Sequence, residues 1–158
     1  MIRTIFDHEL SLLDAQMLVM ASSMEEAVVS AIKVMEERDA DLAERVIAGD
    51  DDIDRQEREI ESLCLKLLLT QQPVAGDLRH VSSALKMVGD MERIGDQAAD
   101  VCETMLGIDG PLDARLSGHL RRMAEKACAM VHNAVAAFVE RDVEKARSVM
   151  GSDDEVDA

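Results

Sequence analysis

Apolar side chains return every three or four positions along most of the chain, the spacing that lines one face of an α-helix. Residues 4–38 carry Leu10, Leu13, Met17, Met20, Met24, Val28, Ala31 and Met35 in alternating steps of three and four, a heptad seam held over several turns. Asp41–Leu69 repeats the pattern with Val46, Ile53, Ile60, Leu63 and Leu67. Asp77–Met105 does so with Val81, Leu85, Val88, Met91, Ala98, Val101 and Met105, which predicts one helix roughly 45 Å long. Pro73 upstream and Gly107 downstream stand where helix ends favour them. Short connections at 38–41 and 70–76 make these three helices sequential antiparallel neighbours, a three-helix bundle.

Gly107-Ile108-Asp109-Gly110-Pro111 breaks the periodicity and divides the chain into residues 1–109 and 110–158. A fourth helix is expected over Asp113–Glu140, with Leu116, Leu120, Met123, Ala127, Met130, Ala134 and Ala137 on one side, and a fifth from Val143. The second part repeats the first at an offset of 103 residues. Glu37-Arg38-Asp39 falls on Glu140-Arg141-Asp142, Ala43 on Ala146, Val46 on Val149, Asp50-Asp51 on Asp153-Asp154 and Asp54 on Asp157. At that offset the counterpart of Glu92 falls near position 195, past the last residue, so the second repeat lacks its third helix and the chain reads as a truncated form or fragment. The fold class is therefore all-α: a long-helix bundle of one complete three-helix repeat and an incomplete second one. The stripe Leu116, Leu120, Met123, Met130 and Phe138 is expected to lack cover and to pair with a second copy. That predicts a homodimer built on the half-formed second repeat.

Composition narrows the function. A net charge of −16 argues against nucleic acid and against adhesion to anionic lipid, both of which need basic patches, and favours cations or basic protein surfaces as partners. No run of 18 apolar residues occurs and the N-terminal segment lacks the apolar core of a signal peptide, so a cytoplasmic protein without membrane insertion is expected. Cys64, Cys102 and Cys128 have no C-x-x-C spacing and fall at apolar helix positions, as buried reduced thiols would. Phe6 and Phe138 are the only aromatics, whereas methionine occurs 11 times, chiefly for packing.

The polar face of the third helix carries the chemistry. Glu92, Asp96 and Asp100 stand at i, i+4 and i+8, three carboxylates along nearly one line. Like charges so spaced destabilise a helix by roughly 0.2–0.5 kcal/mol a pair, and Arg93 alone cannot span all three, so the stripe reads either as a solvated acidic face or as a seat for a bound cation. Oxygen ligands without histidine suit Mg, Ca or Mn, and also Fe or carboxylate-bound Zn. Three side chains make an open site, so weak or absent metal binding is expected of this chain alone. Asp50, Asp54, Glu57 and Glu61 form a second stripe on the preceding helix, but interleaved Arg55, Arg58 and Lys66 make it read as a solvated face. It is nonetheless the nearest further source of oxygens. Asp77-x-x-His80 has the spacing of a di-iron ligand pair but occurs once, and His8, His119 and His132 are isolated. No phosphate-binding glycine loop, nucleophile elbow or Cys/His zinc pattern is present, which points away from an enzyme. A carboxylate-bridged metal enzyme and a structural coiled coil are the alternatives.

Leu69–Val101, with Gln71-Gln72-Pro73-Val74-Ala75, Asp77-Leu78-Arg79, Lys86 and Glu92-Arg93-Ile94-Gly95-Asp96, resembles the PhoU family of phosphate-signalling regulators. Glu92-x-x-x-Asp96 matches the acidic metal motif of that family, whereas Asp100 falls where many members carry asparagine. The resemblance implies two three-helix bundles and a non-enzymatic negative regulator. It implies coupling of the phosphate ABC transporter, through its ATPase subunit, to a sensor histidine kinase at the inner face of the cell membrane.

Overall fold

The computed structural model describes residues 2–110 and 112–157, and every regular element in them is helical. These are α1 (Ile2–Glu37), α2 (Ala40–Gln71), α3 (Ala75–Leu106), α4 (Ala114–Glu140), α5 (Val143–Gly151) and α6 (Asp153–Asp157). Pro111, read from the sequence as part of the interdomain break, lies outside the described residues. No described helix is long and apolar enough to cross a membrane.

The first three helices pack against one another as the heptad pattern requires. Leu13, Met17 and Met20 of α1, Ile60 and Leu67 of α2, and Val81 and Val88 of α3 close one core cluster. Burial of such side chains contributes roughly 1.5–3 kcal/mol each. A second cluster joins Ala31, Val34 and Met35 to Ala43, Val46, Ala98, Cys102 and Met105 at the other end of the bundle. Three sequence expectations shift: Leu85 is only partly buried at the edge of the main cluster, and Val28 is half-buried and Val101 exposed, because both border an apolar groove that no described helix fills.

Helix ends follow local chemistry more than periodicity. Arg38, expected inside the first helix, takes a left-handed conformation at φ 59° and stops it. Asp39 then caps α2, its Oδ1 accepting from the Leu42 N–H at 2.9 Å. The same pair of conformations recurs at the expected offset: Arg141 is left-handed at φ 55°, and Asp142 Oδ1 accepts from the Lys145 N–H at 2.9 Å. The sequence repeat is thus also a repeat of backbone geometry. The counterpart of the long α2 is interrupted, however, with α5 ending at Gly151 and α6 resuming at Asp153.

α4 packs along α1 instead of standing apart from the first bundle. Val135 enters the main core cluster, and Val131, Phe138 and Val139 pack on it, so Phe138 of the expected open stripe is covered from within the chain. The clasp is His80 of α3. Its buried ring stacks on Phe138 with centroids 4.1 Å apart, and its Nε2 hydrogen-bonds Asp14 Oδ1 of α1 at 2.6 Å. Asp77, paired with His80 in the sequence motif, instead meets Arg141 at 3.4 Å. Leu116 and Met123 remain exposed.

Candidate functional site

Gly95 explains how two acidic stripes come together. A Cβ built there would lie 2.8 Å from Cδ1 of Ile53 and 3.2 Å from its Cγ2, so the Ile53 side chain of α2 seats against the bare backbone of α3 and a larger residue at 95 would make it shift. Gly89, almost two turns earlier on α3, looks at the same neighbour: its Cβ would stand 3.9 Å from Glu57 Oε1. Glu92 lies between these glycines in the α3 sequence, and Asp96 follows the second. The α2 acids Asp50, Asp54 and Glu57 therefore face the α3 acids across a helix–helix seam.

The electrostatics register this crowding. The Asp50 carboxyl is pushed up to about 6 by lost hydration first and then by the charges of Asp54, Asp96, Glu92 and Asp51. Glu57 is raised by burial, then by Glu92, Glu61 and Asp54, with Arg58 pulling the other way. Glu92 is raised by burial, then by Asp54 and Asp96, against Arg93. The bases that seemed to neutralise the α2 stripe are mostly engaged elsewhere: Arg55 pairs with Asp52 at 2.7 Å and Lys66 with Glu9 at 2.6 Å. Asp50, Asp54 and Glu57, read from the sequence as a solvated face and as the nearest further source of oxygens, are half-buried and share the electrostatics of the α3 acids.

Of the three residues singled out in the sequence, Glu92 and Asp96 belong to this cluster. Asp100 is exposed and is not among the charges that act on Asp50, Glu57 or Glu92. The fit to a cation is tested by Asp50, whose Oδ1 is shut off from solvent with no hydrogen-bond partner among the described residues. A buried carboxylate oxygen lacking a donor and crowded by like charge is what a hard cation relieves. Among the described residues, no three His, Cys, Asp or Glu side chains converge as placed into a chelating group.

The remaining residues of interest have other occupations. His8 is exposed. His132 meets Glu25 at 3.3 Å, and Arg122 shares a 2.9 Å hydrogen bond with His119. Arg121 donates to Glu36 at 2.6 Å, which raises the guanidinium further. Cys64 and Cys102 are buried as expected, and burial pushes the Cys64 thiol up to about 11. Cys128 is only half-buried, because it borders the open groove beside α4.

The PhoU domain family profile matches residues 17–105 and again 120–158. The chain belongs to the PhoU domain family. The two PhoU matches start 103 residues apart, the offset of the internal repeat. The chain is 35% identical over 159 residues to a phosphate-specific transport system accessory protein PhoU homolog of Clostridium acetobutylicum, covering 100% of this chain and 73% of that one. The Aquifex aeolicus homolog is 36% identical over 144 residues, covering 90% and 64% of the two chains. The Escherichia coli accessory protein PhoU is 32% identical over 152 residues, covering 96% and 63%. The crystal structure of PhoU from Pseudomonas aeruginosa superposes with a TM-score of 0.88 at 33% identity over 96% of this chain and 73% of that one. That of the phosphate transport system regulatory protein PhoU from Streptococcus pneumoniae gives 0.86 at 28% identity, over 96% and 72%. The chain thus spans 63% to 73% of the length of these relatives.

Proposed function

We propose that this chain is a non-enzymatic accessory protein of phosphate transport that restrains phosphate-starvation signalling by linking the phosphate ABC transporter to a sensor histidine kinase. The observation that carries this is the match of the whole chain, at 35% identity, to an accessory protein of the phosphate-specific transport system. The physical character of the molecule supports it. A helical surface with net charge −16 associates quickly, and with strong salt dependence, with basic patches such as those on a transporter ATPase subunit or a kinase domain. A place at the inner face of the cell membrane, held by such partners, follows from the same reading.

The acidic seam is the proposed metal site. Glu92 and Asp96 of α3 with Asp50 and Asp54 of α2 would supply the oxygen ligands, and the cation would supply positive charge that lets these carboxylates ionise together. Asp100 stands at the margin of the set. Hard divalent ions such as Mg, Mn or Ca suit the donors, with Fe and Zn as the softer options. The half-open second repeat supports the homodimer expected from the sequence, with α4 at its interface.

The deciding experiment is co-purification of the chain with the transporter ATPase subunit and with the kinase at low and high salt. Retention of either at low salt that fades as salt rises is expected. Failure to retain both at low salt, with the chain folded, would overturn the proposal.

A further inference from the structure

The two turns of the first bundle are built from opposite chemistry. Glu36-Glu37-Arg38-Asp39-Ala40-Asp41 joins α1 to α2 with charged side chains, as a solvated turn does. Leu67-Leu68-Leu69-Thr70-Gln71-Gln72-Pro73-Val74 joins α2 to α3, and once Leu67 has entered the core the rest of the turn leaves apolar side chains in water. Leu69 is 79% exposed and Val74 75%, so neither packs on the bundle. Leu65 and Leu78 flank them on α2 and α3 and are exposed as well. Two ion pairs bring further apolar side chains to this end. Lys66 holds Glu9 of α1 at 2.6 Å, which places exposed Ile5 nearby, and Arg141 meets Asp77 at 3.4 Å, which does the same for exposed Val143. Exposed apolar patches beyond a few hundred Å² are rare on soluble proteins and mark surfaces of interaction.

The same end departs from the acidity of the whole molecule. From Ser62 to Gly89 the chain carries a single acid, Asp77, against Lys66, Arg79 and Lys86, although the net charge of the protein is −16. That acid is held by Arg141, and Glu9, which reaches this end from α1, is held by Lys66. The acidic seam is remote. Asp50 lies well down α2 from Leu69, about 28 Å along the helix axis, which is more than three Debye lengths at physiological salt. The charge that weighs against anionic lipid for the average surface is therefore screened at this tip.

We propose that the α2–α3 tip is a lipid-contacting surface that seats end-on in the interface of a bilayer containing anionic phospholipid. Leu69 and Val74 enter the boundary between headgroups and acyl chains, while Arg79 and Lys66 stay at the level of the phosphates. A tip that projects beyond its bundle offers no groove to a partner helix, whereas a bilayer deforms around it. The contact is superficial, since no described helix is long and apolar enough to cross a membrane. This inference is independent of the phosphate reading, because it rests on the side chains and charge of one turn, and it stands or falls whether or not the ATPase subunit or the kinase is retained.

The test is sedimentation of the whole chain with vesicles of phosphatidylcholine and phosphatidylglycerol. Binding is expected, and salt should weaken it without abolishing it, because Arg79 and Lys66 respond to screening and the apolar tip does not. Leu69→Asp and Val74→Asp should each lower the partition coefficient at least tenfold while leaving helicity and melting intact, since both side chains are already in water. Val29→Asp, at an exposed apolar position of α1 away from the tip, should bind as the parent does. Arg79→Gln should weaken binding severalfold at low salt. Absence of binding at every salt concentration overturns the proposal, as does binding that survives Leu69→Asp, that Val29→Asp lowers equally, or that ignores both salt and Arg79→Gln. A chain that sediments with protein-bearing cell membranes but not with vesicles of their extracted lipids also overturns it, because the tip then meets a protein.

Discussion

Replacing Asp50 by asparagine should stabilise the metal-free protein at neutral pH. The carboxyl rises from 3.8 to about 6 on folding, through lost hydration first and then through Asp54, Asp96, Glu92 and Asp51. At 1.36 kcal/mol per pKa unit, ionising it in the folded state costs about 3 kcal/mol unscreened; Asp50 is only partly buried, so solvent reduces this to about 1–2 kcal/mol. The sign follows from linkage. Below 3.8 both states are protonated and the residue contributes nothing; between 3.8 and about 6 the unfolded chain ionises first, so stability falls as pH rises; above about 6 the full cost is present. Asparagine keeps the shape, carries no charge and offers an N–H to the neighbouring carboxylates. For a chain of this size, about 1–2 kcal/mol corresponds to a melting temperature about 2–8 °C higher. The assay is thermal unfolding by circular dichroism in chelator from acid to neutral pH. The gap between Asp50→Asn and the parent should open through the 3.8-to-6 window, and added Mn2+ should close it by stabilising the parent more. A variant that melts at or below the parent at neutral pH, or a gap that persists unchanged in acid, refutes the reasoning.

Gly95→Val should cost about 1–3 kcal/mol by overpacking against Ile53, and Ile53→Ala should cost less in that variant than in the parent, a coupling read by urea unfolding. His80→Ala should cost about 2–4 kcal/mol, since it removes a buried ring stacked on Phe138 and leaves Asp14 without its partner; His80→Gln should cost less if the Asp14 bond carries much of the effect, and no more than Ala in any case. Arg141→Gly should stabilise by about 0.5–1 kcal/mol, because glycine relieves the left-handed backbone while only 3.4–3.5 Å contacts to Asp77 are lost. A lower melting temperature for that variant would show the Asp77 pair to be worth more than the backbone relief.

The three-helix bundle was legible because its apolar seam is uninterrupted, and the repeat because Glu-Arg-Asp recurs where both turns need a left-handed residue followed by an aspartate cap. Docking of α4 on α1 was not. His80 read as a residue near a helix start and Phe138 as part of an uncovered stripe, and only tertiary contact shows that each covers the other. The spacing set Glu92 and Asp96 on one helix face, but their nearness to Asp50 and Asp54 of α2 is a tertiary fact that the bases between the α2 acids obscured. Which base pairs with which acid depends on side-chain reach across helices: Lys66 turns to Glu9 of α1, a partner 57 residues away in sequence. Asp100 illustrates the converse. Its spacing is right, but it is exposed and is not among the charges that act on Asp50, Glu57 or Glu92.

The attachment of α4 sets the order in which the molecule loosens. Val131, Val135, Phe138 and Val139 fasten its C-terminal half to the main core, while Leu120 alone of its first two turns touches the second cluster. Opening α4 to α6 exposes far less apolar surface than opening α1, α2 or α3, so it requires the smaller free energy. Amide hydrogens of Arg115–Ala129 therefore exchange with solvent through partial opening, whereas those of Val81–Met91 wait for global unfolding. Limited proteolysis should meet the same hierarchy, trimming the chain back toward Gly107 before it cuts the three-helix half.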